Sequence, residues 1–349
     1  LRRDFTINAM AFSLNGDTFG QLIDPFDGTG DLERLLIRTP CDPDTTFSDD
    51  PLRMIRAVRF AAQLGFDIEP ETFDAIERNR ERISIVSKER IVTELNKILL
   101  SPVPSIGFDL FDRCGLLPLI FPELSRLKGV ERVGKHAHKD NFVHTLKVLD
   151  NIARHTDKLW LRWAALLHDI GKPDMFFTDE SGMAHFKKHQ FKSAEYADEI
   201  LRRMRSDNYT RERACALIAE HDTRFPPKRK NVAKFISKYD MQFFMDYLEI
   251  RRADTLAQSS YKRAEKLAAL DEMAKIAIQL EEENACLKLS DLAINGRDAA
   301  TLGLKGKAIG DALKQTLAAV VEERVPNERG ALLGFIRENC AAESGCADE

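Results

Sequence analysis

Asp49-Asp50-Pro51-Leu52-Arg53-Met54-Ile55-Arg56-Ala57-Val58-Arg59-Phe60 is the stretch on which the fold turns. After Pro51 the apolar residues recur with a helical period, and that pattern persists through most of the chain. In a helix, Arg53, Arg56 and Arg59 lie three residues apart and share one face, while Leu52, Ile55, Val58 and Phe60 anchor the other. Asp50 can only accept hydrogen bonds and Arg53 can only donate them, so together they present the mixed edge that pairs with cytosine or adenine. Arg56 and Arg59 are then placed to hold phosphates. A solvated helix face with charge contacts between residues i and i+3 would give the same string, so the flanking sequence has to decide.

Upstream, Met10 to Leu14 and Thr18 to Ile23 are β-prone runs flanking Asn15-Gly16, a dipeptide that favours a tight hairpin because both residues tolerate positive φ. Leu35 to Thr39 adds a candidate strand. Downstream, Ile91, Leu95, Ile98 and Leu99 recur at helix spacing behind Ser87, a candidate N-cap. A long helix is expected from near Tyr261 to Glu281-Glu282-Glu283-Asn284, and residues 341–349 read as a frayed acidic tail. The fold class expected is mainly α, with a short antiparallel β-hairpin at the start. Turn formers or charge interrupt the pattern at Cys41-Asp42-Pro43-Asp44, at Ser101-Pro102-Val103-Pro104 and across residues 128–139.

With 349 residues, 44% hydrophobic and 31% charged, the chain is long enough for two or three domains with full cores. No apolar run is long enough to span a bilayer. The six cysteines, at 41, 114, 215, 286, 340 and 346, form no CxxC pair and read as reduced thiols of a cytoplasmic protein. A net charge of −4 argues against a generic polyanion binder, but the distribution is uneven. From Arg202 to Lys238 there are eleven Lys or Arg against four Asp or Glu, ending in Arg224-Phe225-Pro226-Pro227-Lys228-Arg229-Lys230. Such a patch can follow an RNA backbone, although solvated basic helices have the same composition.

Three blocks, RRDFTINAMA at 2–11, LIDPFDGTGDLERLLIRT at 22–39 and DDPLRMIRAVRFAAQLGF at 49–66, stand in an order that resembles the class II tRNA nucleotidyltransferases, the CCA-adding enzymes, and their poly(A) polymerase relatives. The resemblance implies ribose and triphosphate contacts from Arg3, Asp4 and Asn8. It implies base selection by Asp50 and Arg53, with Arg56 and Arg59 on phosphates; Asp49 stands where the family usually has Glu. It also implies CTP, ATP and tRNA as partners and Mg2+ as the ion for transfer. The family's phosphate-binding glycine motif and DxD metal pair precede the first block and are not in this sequence. The expectation is therefore a truncated α/β head, in a chain by itself incomplete for transfer. In these terms residues 1–45 are the remnant of the head, 46–127 a helical neck, 128–258 a metal-binding helical domain and 259–349 a helical body and tail.

The third of these segments rests on a second constellation: His144 in NFVHTLKVL, His168-Asp169 in WAALLHDIGK, His189, His221-Asp222, and Asp254 in RRADTLAQ. Imidazole and carboxylate form a ligand set that divalent metals take, and a His-Asp pair at the end of an apolar helix stopped by Gly171 and Pro173 can turn both side chains to one ion. The order resembles the HD phosphohydrolase superfamily. That resemblance implies His144, His168, Asp169 and Asp254 as ligands of Mn2+, Ni2+, Mg2+ or a similar ion, with His189 and His221 as additional ligands. Repair of a 2′,3′-cyclic phosphate or removal of a terminal phosphate from tRNA ends is the chemistry it implies.

From about Leu287 the chain reads as loop, helix, loop, helix. Its glycines do not make a P-loop, because no strand precedes them and the GK[ST] ending is missing. The segment resembles the tRNA-facing tail of bacterial CCA-adding enzymes, in which Arg297, Lys305 and Lys307 would meet phosphates, beside Lys228, Arg229 and Lys230 of the basic patch. Two alternatives stay open: an HD hydrolase with a relic nucleotide pocket, and a module that grips tRNA and nucleotide without catalysis.

Overall fold

The computed structural model describes residues 2–128, 132–133, 136–137, 140–180 and 184–339. They form two compact units, 1–222 with 256–259, and 223–255 with 260–349. The fold is mainly helical with four two-stranded sheets among the described residues, in agreement with the class read from the sequence.

The first unit opens with β1 (Ala11–Phe12) and β2 (Leu22–Ile23), an antiparallel pair in the register Ala11 to Ile23 and Phe12 to Leu22. The hairpin is where the sequence put it, but Asn15-Gly16 does not make its turn. Asn15 has the extended φ of −73°, Gly16–Thr18 form a 3-10 turn, and the positive φ of +80° falls on Gly20. Ser13 stabilises this wider loop, its N–H donating to the Gln21 carbonyl (2.9 Å) and its hydroxyl meeting that of Thr18 (2.6 Å). Next come α1 (Gly28–Glu33) and β3 (Leu36–Ile37), which pairs in parallel with β4 (Asp67–Ile68) rather than with the hairpin.

Between β3 and β4 lie α2 (Pro43–Asp49), capped by the Asp42 carboxylate on the Thr45 N–H (2.7 Å), and α3 (Leu52–Leu64). Helix α3 forms because Leu52, Met54, Ile55, Ala57, Val58, Ala61 and Ala62 all fall on its buried side. It ends at Gly65, whose φ of +69° is the left-handed C-terminal cap that glycine takes without penalty. Helices α4 (Pro70–Asn79), α5 (Lys88–Leu99) and α6 (Ser105–Arg113) follow, with α3 packed on α5 and α6. Ile91, Leu95, Ile98 and Leu99 of α5 are buried as expected. Ser87 occupies the N-cap with an extended backbone, but its side chain makes no capping bond.

Short helices α7 (Leu117–Ile120) and α8 (Pro122–Ser125) and the pair β5 (Arg132–Val133) and β6 (His136–Ala137) lead to α9 (Asn141–Ala153) and α10 (Leu159–Leu167). The rest of the sequence boundary at 128–139 lies outside the described residues, as does the tail 341–349. Strands β7 (Phe177–Thr178) and β8 (Ala184–His185), then α11 (His189–Arg203) and α12 (Asn208–Glu220), complete the unit.

A buried arginine ties α10 to α5. Arg162, 1% exposed, donates to the carbonyls of Leu99 (2.5 Å), Ser101 (2.9 Å) and Thr156 (2.9 Å) and to Asp157 (2.9 Å). Trp163 beside it donates from its indole N–H to Asn96 Oδ1 (2.9 Å). The break in pattern at residues 101–104 is thus held inside one packed unit.

The second unit contains α13 (Arg229–Lys238), α14 (Met241–Ala257, as far as residue 255), α15 (Arg263–Glu282), α16 (Gly296–Ala300), α17 (Lys307–Val321) and α18 (Arg329–Asn339). The long helix expected from Tyr261 is α15. Leu292, Ile294, Ala299, Leu304, Ala312, Leu332 and Ile336 form the core of the last three helices. Asn295 starts α16 with a capping box, its side chain accepting from the Arg297 N–H (2.8 Å) while Asp298 accepts from the Asn295 N–H (3.0 Å). Cys41, Cys114, Cys215 and Cys286 are free thiols. No described helix is long and apolar enough to cross a membrane.

Candidate functional site

The arginine row meets the first sequence block through one ion pair. Asp4 is buried (7% exposed), and its Oδ2 accepts from the Arg56 Nε (2.7 Å), with the Arg56 terminal nitrogen also in contact. Its Oδ1 accepts from the Phe5 N–H (3.0 Å) and Asn8 Nδ2 (3.1 Å). Burial opposes ionisation of Asp4, but the hydrogen bonds from Arg56 and Asn8 and the Arg56 charge outweigh it, so the carboxyl titrates below its usual range. Edge-on contact between the rings of Phe5 and Phe60 (5.7 Å) closes the apolar side of the junction.

The three arginines do not present themselves alike. Arg53 donates to the carbonyls of Arg2 (2.7 Å) and Thr46 (3.2 Å). Arg56 faces Asp4. Arg59 turns inward, its guanidinium 3.8 Å from the centre of the Phe60 ring and its Nε 2.9 Å from Glu94 on α5, with both side chains at or below 10% exposure. Burial pushes the Arg59 guanidinium down and the Glu94 charge counters it. Asp50, read as the partner of Arg53 at a base edge, accepts from the Leu52 N–H (3.2 Å) and from Arg90 (2.8 Å). Arg3 is exposed. Arg90 and Glu94 were not singled out from the sequence. Their signal was present in Lys88-Glu89-Arg90-Ile91-Val92-Thr93-Glu94, where two charged residues four apart flank the apolar face of α5.

The loop beneath this region is built by two carboxylates. Asp24 accepts from the N–H groups of Gly28 (2.7 Å) and Thr29 (2.9 Å), and buried Asp31 accepts from Thr6 Oγ1 (2.6 Å), Arg34 (2.7 Å) and Arg38 (2.9 Å). Gly28 is required here, because a Cβ would stand 2.5 Å from the Thr6 carbonyl oxygen.

The second constellation closes on Asp169. His144 comes from α9, His168 caps the end of α10, His189 opens α11 and His221 caps the end of α12. The two oxygens of Asp169 face different pairs. Oδ2 lies 3.1 Å from His168 Nε2 and 3.7 Å from His144 Nε2, while Oδ1 lies 3.2 Å from His189 Nε2 and 3.8 Å from His221 Nε2. Two ligand groups result, His144 with His168 and Asp169, and Asp169 with His189 and His221, all buried. In three of the rings Nδ1 meets the carbonyl three residues back: His168 to Ala165 (2.8 Å), His189 to Phe186 (2.8 Å), His221 to Ile218 (2.7 Å). That bond fixes the tautomer and aims each Nε2 at the centre, the usual outer-sphere support of a metal-ligating histidine.

Lys172, missed in the sequence, places its ammonium 2.6 Å from Asp169 Oδ2. Burial of Asp169 works against its charge, yet His168 and Lys172 nearby and hydrogen bonds from His168 and His189 hold its carboxyl well below the usual range. Burial, together with the neighbouring His168, pushes the His221 imidazole down to about 4. Gly171 permits the close approach of α11, since a Cβ there would stand 2.6 Å from the Ser193 N and 2.8 Å from the His189 carbonyl oxygen. Neutral imidazoles and a committed carboxylate are the state in which this donor set can take a divalent ion. Asp254 lies on α14 in the second unit.

In the second unit, Lys228, Lys230, Arg297, Lys305 and Lys307 are exposed. Arg229 is not a free cation there, because it pairs with Glu283 (2.6 Å) and Glu323 (3.4 Å).

Three family models match successive parts of the chain: the poly A polymerase head domain over residues 1–38, the probable RNA and SrmB-binding site of polymerase A over 65–128, and the HD domain over 141–283. An A-adding tRNA nucleotidyltransferase of Deinococcus radiodurans is 32% identical over 339 residues, covering 94% of this chain and 75% of that protein. A multifunctional CCA protein of Pseudomonas aeruginosa is 31% identical over 346 residues, covering 93% and 78%. The Bacillus stearothermophilus CCA-adding enzyme, solved with CTP, superposes with a TM-score of 0.68 over 99% of this chain and 75% of that one, at 24% identity. The Thermotoga maritima CCA-adding enzyme shows the same fold at a TM-score of 0.57 and 22% identity, over 97% and 72%. With the head, neck and HD segments in this order, the chain belongs to the tRNA nucleotidyltransferases, the family of CCA- and A-adding enzymes, in the bacterial form that carries an HD domain.

Proposed function

We propose that this nucleotidyltransferase works in the cytoplasm on tRNA 3′ ends, adding CMP, CMP and AMP from CTP and ATP. The observation that carries the reading is the Asp4–Arg56 pair, which joins Arg3, Asp4 and Asn8 to the arginine row in one place. In this reading Asp4 holds Arg56 toward the triphosphate, and Asn8 and Arg3 meet ribose and phosphate. Asp50 and Arg53 read the base edge. An ionised carboxylate has about four acceptor positions, so Asp50 can take a base amino group while keeping Arg90. Arg59, already bound to Glu94, supports the row from behind more than it reaches phosphate.

Mg2+ is the ion this reading requires for transfer. Among the described residues both three-ligand clusters contain Asp169 and none falls in the head or neck. Exposed Lys228, Lys230, Lys305 and Lys307 are the residues proposed to meet tRNA phosphates, with Arg229 shared with its two glutamates. The division at 45/46, 127/128 and 258/259 into head, neck, metal-binding and tail segments belongs to the same reading.

Equilibrium binding of the four nucleoside triphosphates tests it. Wild-type protein should prefer CTP and ATP over UTP and GTP, and Arg53→Ala should lose that preference. Selectivity unchanged in the variant overturns the pairing role. Transfer to tRNA lacking its terminal CCA then separates CCA addition from A addition alone.

The buried His and Asp cluster favours a second activity, metal-dependent phosphoester hydrolysis. His144, His168, Asp169, His189 and His221 would hold Mn2+, Ni2+ or Mg2+. Such an ion supplies Lewis acidity and lowers the pKa of bound water. Lys172 is placed to neutralise a phosphoryl oxygen, and the backbone-anchored imidazoles keep their Nε2 atoms aimed at the two oxygens of Asp169. Asp169→Ala should abolish both ion uptake and phosphatase activity; full phosphatase activity in that variant rules the reading out.

A further inference from the structure

Between Asp169 and His189 the chain leaves the helical core and returns as the β7–β8 hairpin, paired antiparallel with Phe177 opposite His185. Its side chains are unusual for a surface hairpin. Phe177 is 42% exposed, and its ring stacks on the His185 imidazole at 5.2 Å and 26°. Asp179 holds the far side of that imidazole, Oδ2 to Nε2 2.6 Å, which fixes the plane of the stack. The Lys187 ammonium lies 5.7 Å from the centre of the Phe177 ring.

The base of the hairpin reaches the ion site. Phe176 and Phe186 pack at 5.7 Å, and the Phe186 carbonyl meets His189 Nδ1 at 2.8 Å. Lys172 joins the two, its ammonium 5.7 Å from the Phe186 ring centre and 2.6 Å from Asp169 Oδ2. A rigid exposed ring and two lysines therefore sit on the same short excursion as the ligands.

We propose that this hairpin is the specificity element of the HD site. The base of a nucleoside phosphoester stacks on the exposed ring of Phe177, the phosphate is drawn by Lys187 and Lys172, and the ester is delivered to Asp169 and its histidines. The inference rests on the hydrolase reading of that site and assigns the base contact to Phe177, a contact that simple alkyl phosphates cannot make. Hydrolysis is balanced by water alone: the water oxygen bonds to phosphorus, the bond from phosphorus to the ribose oxygen breaks, and a water proton ends on the ribose hydroxyl. Stacking on an aromatic ring is sequence-tolerant because every base offers a π-face.

Photo-cross-linking with 5-iodouridine 3′-phosphate, with and without EDTA, tests the placement independently of turnover. The cross-link is expected on the peptide carrying Phe177 and His185 and should be lost in Phe177→Leu, with the circular dichroism melt unchanged. An RNA oligonucleotide ending in the same nucleotide distinguishes RNA ends from free nucleotides. In manganese-loaded protein, Phe177→Leu should raise KM for uridine 3′-phosphate about 5- to 150-fold at constant kcat, the range for one base on one ring. The KM for β-glycerophosphate, which has no ring, should not move. A cross-link confined to peptides of residues 2–59, or equal effects on the two esters, overturns the proposal. Hydrolysis of neither ester by wild-type protein overturns the hydrolase reading, while the cross-link still decides whether the hairpin binds a base.

Discussion

Glu94→Ala is predicted to destabilise the first unit out of proportion to the atoms removed. The Arg59 and Glu94 side chains are at or below 10% exposure, 2.9 Å apart, on helices α3 and α5. Removing the carboxylate leaves a guanidinium in the core beside the Phe60 ring without its paired anion, and Lys97 loses its 2.9 Å contact with Glu94. Uncompensated burial of one member of such a pair costs about 3–5 kcal/mol, and replacing both by apolar residues is often neutral or stabilising. Glu94→Ala should therefore lose about 3–5 kcal/mol, while Arg59→Met with Glu94→Leu should recover most of it. Trp160 and Trp163, the two tryptophans of the chain, both lie in the first unit, so fluorescence in a urea titration follows that unit alone. A loss below about 1 kcal/mol in Glu94→Ala, the range of a solvent-exposed pair, would refute the reasoning.

Gly171→Ala should push α11 away from the His-Asp turn, because its Cβ meets backbone atoms at 2.6 and 2.8 Å. The expected cost is about 1–3 kcal/mol, with manganese uptake by equilibrium dialysis falling as His189 shifts; wild-type ion uptake would contradict it. Asp4 has a folded pKa below its ordinary value, so the stability it contributes is present above about pH 4 and is lost as pH falls through the folded value. Asp4→Asn should therefore be destabilising at pH 7 and converge on wild type in acid. A carboxyl carbon NMR titration should show the Asp4 midpoint move upward in Arg56→Ala, and an unmoved midpoint would count against the ion pair. Arg162→Met leaves the buried carbonyls of Leu99 and Ser101 without their donor and should speed hydrogen exchange most at α5 and α10; unchanged protection there would show that water replaces the guanidinium.

Helix α3 was legible from its own residues, because seven apolar positions on one side leave no other structure that buries them. The same applies to α5, while the His and Asp residues picked out by type and order around His168-Asp169 come together from four helices, with Asp254 on α14 of the second unit. The hairpin was legible but its turn was not, since Asn15-Gly16 satisfies a local preference that the Ser13–Thr18 and Ser13–Gln21 bonds override. The sequence put Arg53, Arg56 and Arg59 on one face, with Arg53 read at a base edge and Arg56 and Arg59 on phosphates. Tertiary packing assigned them different partners: backbone carbonyls, Asp4 and Glu94.

What the sequence by itself determined was periodicity and residue chemistry: a mainly helical chain, a row of arginines on one helix and a set of His and Asp residues. Those properties are local or carried by residue type. Only the tertiary structure decided which charges remain available. Lys172 reaches Asp169, Arg90 reaches Asp50, and Arg229 is taken by two glutamates from α15 onward. Partners as far as 94 residues apart in sequence leave no mark on local pattern, because an ion pair depends on the distance that folding sets between side chains and not on their separation along the chain.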